Sequence, residues 1–118
     1  MINVDDNNAA IGELYSTLES NGVVSSIKEF NKDWLNRSEG YLRYLRLNKK
    51  QASVDALAIC SSKLKHYCRL MRMSKQTKFN TLIQTFEMHT NRFDNMIMQQ
   101  SEIKWIDKMK ADEKETMH

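Results

Sequence analysis

The chain has 118 residues, 41% of them apolar and 28% charged, with no proline, three glycines and a formal net charge of +3. That length suits one domain with a single modest core, and the apolar share is too high for a disordered chain. No alternating β-branched run bounded by turn dipeptides occurs anywhere, so a sheet protein is excluded and an all-α fold is expected.

The charge is unevenly spread. Residues 1–27 carry −4, residues 28–78 carry +9 from thirteen Lys/Arg against four acids, and residues 79–118 carry −2. A concentrated basic middle points to a polyanionic partner, although such a surface can also serve solubility alone. No apolar run approaches the roughly 18 residues of a membrane span. The start, MINVDDNNAA, lacks the cationic and hydrophobic parts of a secretory leader, so a cytoplasmic protein with no membrane partner is expected.

In chain order, Asn8 is a candidate cap for a first helix over about 9–20, with Ile11, Leu14, Tyr15 and Leu18 at helical spacing and a stop at Asn21-Gly22. Ser25 or Ser26 caps a second, whose apolar stripe is Ile27, Phe30, Trp34 and Leu35. Asn36-Arg37 interrupts the pattern. Ser38 restarts it as a third helix over 38–47, with Leu42 and Leu45 inward. Asn48 to Ala52 is a polar connector. Ser53 caps a fourth helix whose inner face is Val54, Leu57, Ser61 and Leu64, flanked by Ile59 and Cys60.

Beyond Ser74 the apolar period runs Phe79, Leu82/Ile83, Phe86, His89, Phe93, Met96/Ile97, Gln100, Ile103 and Ile106. With no Gly or Pro to break it, one helix of about 35 residues is possible, about 50 Å long. Such a helix either bends back or reaches for a partner, and the charged tail from Lys110 is expected to fray. Two parts follow: a core over 1–73 and a helical extension over 74–118.

The stretch WLNRSEGYLRYLRLNKKQAS, Trp34 to Ser53, holds five cationic residues and one Glu, with two tyrosines and four leucines among them. At about 100° per residue, inward Leu42 and Leu45 put Gly40, Arg43, Tyr44 and Leu47 on the opposite face of the third helix. Glu39 and Arg46 then lie at its edges. An arginine beside an outward tyrosine and leucine suits the DNA major groove, where Arg43 can donate two hydrogen bonds to guanine and Tyr44 or Leu47 can touch a thymine methyl.

The segment SSIKEFNKDWLNRSEGYLRYLRLNKKQASVDALAICSSKL resembles the helix-turn-helix of the Cro/C1 (lambda-repressor-like) phage regulators. The likeness covers Ser25 to Leu64. It rests on the helix-two stripe, the turn, Ser38, the apolar spacing Leu35–Leu42–Leu45, the run around Lys50 to Ser53, and Leu57 and Leu64. The resemblance implies that Ser38, Glu39, Gly40, Arg43 and Tyr44 face base edges, and that Arg37, Lys49 and Lys50 face phosphates. Four departures stand out. Ala52 takes the place where Pro is common. Asn36 occupies the turn position where a small residue is usual, and Asn31 or Lys32 replaces a helix-two Ala. Phe30 to Trp34 also runs one residue out of step with Leu35 to Leu42, so a one-residue insertion has to be absorbed at the turn.

Catalysis has no motif to carry it: there is no glycine-rich phosphate loop, no HExxH and no nucleophile elbow, and no cofactor is expected. Cys60, His66 and Cys68 share one putative helix at different angles, without a second ligand cluster to close a metal tetrahedron. The two cysteines are expected as buried reduced thiols, and His89 as a core or interface histidine. A phage or mobile-element transcriptional regulator is therefore expected, binding double-stranded DNA as a homodimer through the extension. The competing expectation is a small protein-binding inhibitor of anti-defence type, whose basic face meets a protein partner.

Overall fold

The computed structural model describes residues 3–116, and it is all-α: helix makes up 80% of it, in five helices without a strand. Helix α1, Val4–Ser20, starts one turn earlier than the sequence suggests. Its cap is Asn3, whose side chain accepts from the Asp6 N–H at 3.1 Å. Asn8 lies inside the helix and is spent elsewhere, its side-chain amide donating to the Lys50 carbonyl at 3.1 Å. Ile11, Leu14 and Leu18 are fully buried. The stop falls at Asn21-Gly22, where Gly22 takes φ +71 and the Val23 N–H reaches back to the Leu18 carbonyl at 2.9 Å. Glycine adopts that left-handed conformation without a Cβ clash.

Helix α2 begins at Ile27–Glu29 and widens at once into a π-turn over Phe30–Trp34. Ser26 is the cap, accepting from the Glu29 N–H at 3.1 Å, while the Glu29 carboxylate takes the Ser25 N–H and hydroxyl at 2.7 and 2.6 Å. Those two donors hold the Glu29 carboxyl below its usual range, the hydroxyl contributing most. In the π-turn the Leu35 N–H bonds to the Phe30 carbonyl five residues back, at 3.3 Å. A π-turn holds one residue more than an α-turn. The out-of-step residue in Phe30–Leu42 is therefore absorbed within the helix, just ahead of the turn. As a result Phe30, Trp34 and Leu35 all face the core, at 0%, 2% and 0% exposure.

Asn36 then turns the chain with φ +54. Asn tolerates this region better than β-branched residues do. Asn36→Ile should lower the urea midpoint by about 1–2 kcal/mol of stability with an unchanged m-value, whereas Asn36→Gly should not lower it. Equal midpoints for the Ile variant and the parent would show that the turn bears no such constraint.

Helix α3 is Tyr41–Leu47, so the sequence-based start at Ser38 is three residues early. Ser38, Glu39 and Gly40 form the turn before it, where Asn31, buried in α2, donates from its side chain to the Glu39 carbonyl at 2.6 Å. That bond occupies the Glu39 carbonyl, which an earlier start of α3 would need as an acceptor. The Arg37 N–H bonds back to the Asn31 carbonyl at 3.0 Å and closes the end of α2. Helix α4, Val54–Met73, is capped by Ser53, which accepts from the Ala56 N–H at 3.1 Å.

After a 3₁₀ turn at Thr77–Phe79, helix α5 runs unbroken over Asn80–Thr116, past Lys110 where fraying is expected. Helices α4 and α5 form an antiparallel hairpin. Ser61 donates to Asp94 at 2.6 Å, Lys65 pairs with Asp94 at 3.1 Å, Arg72 pairs with Glu87, and Gln100 donates to the Ala52 carbonyl at 3.0 Å. Phe86, Phe93 and Met96 join the α1–α4 residues in one core. Phe79 and Leu82 are only partly buried, since Ile83 takes the core side of that turn. Beyond Gln100 the helix outruns the body. Ile103, Trp105 and Met109 are 42%, 53% and 50% exposed, and the longest dimension of the molecule is 63 Å.

His89 is 2% exposed between α5 and α1. The Thr17 hydroxyl spends its hydrogen on the Glu13 carbonyl, so at 3.2 Å it accepts from His89 Nε2–H. Nδ1 then carries only a lone pair, and it has no partner among the described residues. Burial first, and Arg92 second, hold this imidazole below its ordinary pKa, while Glu13 opposes them. The unfolded chain therefore takes up a proton, as pH falls through about 6.5, that the folded chain refuses. Stability should be full above that pH and decline below it, by up to about 1.4 kcal/mol per pH unit. His89→Gln should flatten this slope in melts between pH 7 and 5. An unchanged slope would remove His89 from the account.

Candidate nucleic-acid interface

Three elements place the basic residues at issue. The first is the turn before α3. Arg37 sits there half-buried, its guanidinium donating to Ser53 Oγ at 2.6 Å, pairing with Asp55 at 3.5 Å and lying 5.8 Å over the Tyr41 ring. Tyr41 completes the cluster by accepting the Ser53 N–H at 2.9 Å. Arg37 thus ties the turn to the start of α4. Its neighbours Ser38, Glu39 and Gly40 are exposed, but they precede the helix instead of riding on it.

The second element is α3 itself. With Leu42 and Leu45 buried, the helix turns Arg43, Tyr44 and Leu47 to solvent, as helical geometry requires. Tyr44 is 47% exposed and Leu47 72%. Leaving a leucine that open forgoes the stabilisation of burying it, about 1.5–3 kcal/mol.

The third element is the connector. Helix α3 ends with the Lys50 N–H on the Leu45 carbonyl at 2.9 Å and the Lys49 N–H on the Arg46 carbonyl at 3.3 Å. Lys49 takes the left-handed residue of this cap, at φ +51. Glycine is the usual occupant there, and a side chain costs roughly 1 kcal/mol. In α1 the same position is Gly22. The connector is rigidly mounted: Asn8 holds the Lys50 carbonyl, Asn7 donates to the Gln51 side chain at 2.8 Å, and Gln100 holds Ala52 from α5. The Lys50 ammonium meets the Tyr44 hydroxyl at 3.1 Å and lies 5.5 Å over its ring, so it also orients Tyr44.

Arg43, Tyr44, Leu47, Lys49 and Lys50 therefore share one exposed surface, flanked by Arg46. Asn31 and Asn7 escaped the sequence-based account of this surface. A buried polar residue at an expected Ala position is the one signal that could have found Asn31. Elsewhere, Cys60 and Cys68 are buried free thiols, and burial pushes both up from the usual thiol range. Among the described residues no three His, Cys, Asp or Glu side chains gather as metal ligands. No helix among them is long and apolar enough to cross a membrane.

Fold and surface together define an all-α protein in which a small three-helix unit with a short exposed helix is braced by an antiparallel helical hairpin. The chain belongs to DUF6626, a family of unknown function, whose profile matches residues 11–106. Comparison with curated proteins and with solved structures finds no match in either.

Proposed function

We propose that this protein binds duplex DNA as a transcriptional regulator of the Cro/C1 type, with α3 in the major groove. The observation that carries the proposal is the surface of Arg43, Tyr44 and Leu47 beside Lys49 and Lys50. In this reading Arg43 supplies a bidentate donor and Tyr44 and Leu47 supply apolar contacts for base edges, while Lys49 and Lys50 supply cations for phosphates; all five are exposed. Left-handed Asn36 joins α2 to the short helix α3 through a tight turn, an order of elements that a helix-turn-helix shares. Selection from a random duplex library tests the proposal. An enriched sequence whose affinity falls by orders of magnitude between about 50 and 200 mM salt supports it, and the absence of enrichment removes it.

The free end of α5 would join two copies and so engage two half-sites, as expected of a cytoplasmic phage or mobile-element regulator. Trp105→Glu should lower the sedimentation coefficient if that end is the joint. A monomeric parent would refute the homodimer. The second reading, a protein-binding inhibitor, is favoured by one observation: Leu47, at 72% exposure, is the kind of open apolar side chain that anchors protein interfaces. Flat, negligible binding to random DNA at low salt would turn the case toward it.

A further inference from the structure

A cleft of about 630 Å³ runs along α1 where α2 and α3 meet it, with Asp5, Ala9, Gly12, Ile27, Leu42 and Arg46 on its lining. Its volume lies in the range of small-molecule sites. Three features of its lining are not explained by the fold alone. Gly12 stands in the middle of α1, where glycine costs up to about 1 kcal/mol against alanine. A side chain added there would meet no atom within 4 Å, so no packing demand accounts for it. Ile27, placed by its spacing on the buried stripe of α2, is instead 38% exposed at the cleft. Arg46 is exposed at the rim, and no ion pair engages it among the described residues.

We infer that this cleft binds a small apolar monoanion, a medium-chain or aromatic carboxylate. The body of the ligand lies on Ala9, Gly12, Ile27 and Leu42, whose surfaces are apolar. Its carboxylate meets the Arg46 guanidinium, which presents two parallel donors to such a group. Asp5 on the same lining repels any anion in proportion to its charge, so a dianionic phosphate ester is a poorer occupant than a monocarboxylate, which Arg46 can offset. The site is distinct from the Arg43, Tyr44 and Leu47 face, and the inference does not depend on DNA binding.

Isothermal calorimetry of the full chain with decanoate tests it. One saturable site with a Kd below about 1 mM is expected, with decanol and decyl phosphate binding more weakly. Arg46→Gln should weaken decanoate by roughly tenfold, because a charge-assisted hydrogen-bond pair is lost. Gly12→Leu should abolish binding while keeping or raising the melting temperature, since leucine favours helix and its Cβ points into open space. No saturable heat with the parent chain, or decanoate binding unchanged in folded Gly12→Leu, would overturn the inference. Equal affinity for decanoate and decanol would overturn the role of Arg46. DNA is absent from every arm, so failure here and failure of the regulator proposal are read separately.

Discussion

Phe86→Asp combined with Phe93→Asp should leave the chain unfolded at room temperature. Phe86 and Phe93 are 2% and 0% exposed, two turns apart on α5, and they belong to the same core as Ile11, Leu57 and Leu64. Truncating one buried phenylalanine costs about 3–5 kcal/mol, and an unpaired buried carboxylate adds several more. Two such changes exceed the roughly 5–15 kcal/mol that holds a small domain together. Circular dichroism and thermal melts check the result. If the double variant keeps its helical signal and its melting transition, then α5 is not part of the core. Both rings pack within one chain, so the loss should not vary with protein concentration.

Arg43→Ala should lose about 1–3 kcal/mol on the selected duplex and little on a scrambled one, so that specificity relaxes. Its side chain is exposed in the first turn of α3, so under the proposed DNA-binding reading the deletion would remove a contact to DNA without disturbing packing. Lys50→Ala should weaken both duplexes nearly alike and reduce the salt slope by about one. The connector should survive that change, because Asn8 holds the Lys50 backbone carbonyl and not the side chain. Lys50 also braces Tyr44 through its hydroxyl and ring, so a small loss of specificity beyond the charge effect is expected. Titration of both variants at two salt concentrations decides the matter. Equal loss for Arg43→Ala on both duplexes would remove base reading, and no loss for either variant would favour the protein-binding role.

The sequence by itself determined the all-α class, the Ser53 cap and the stop at Asn21-Gly22. Each depends on local chemistry: a hydroxyl accepting from the next turn, a residue free to take positive φ, or an apolar period with nothing to break it. It left open whether the C-terminal segment runs as one helix or bends back, which the structure decided as one helix over Asn80–Thr116. The sequence also showed that one residue was in excess between Phe30 and Leu42. Only the tertiary structure decided where that residue went. The π-turn brings Phe30, Trp34 and Leu35 to the core together, so the choice depends on what packs against them. The start of α3 is decided the same way. Ser38 is a good cap in isolation, but buried Asn31 takes the Glu39 carbonyl and delays the helix to Tyr41. The cleft beside Gly12 was illegible for a related reason. Spacing along a chain says which face of a helix is apolar, but only three helices placed together say whether anything in the protein covers it.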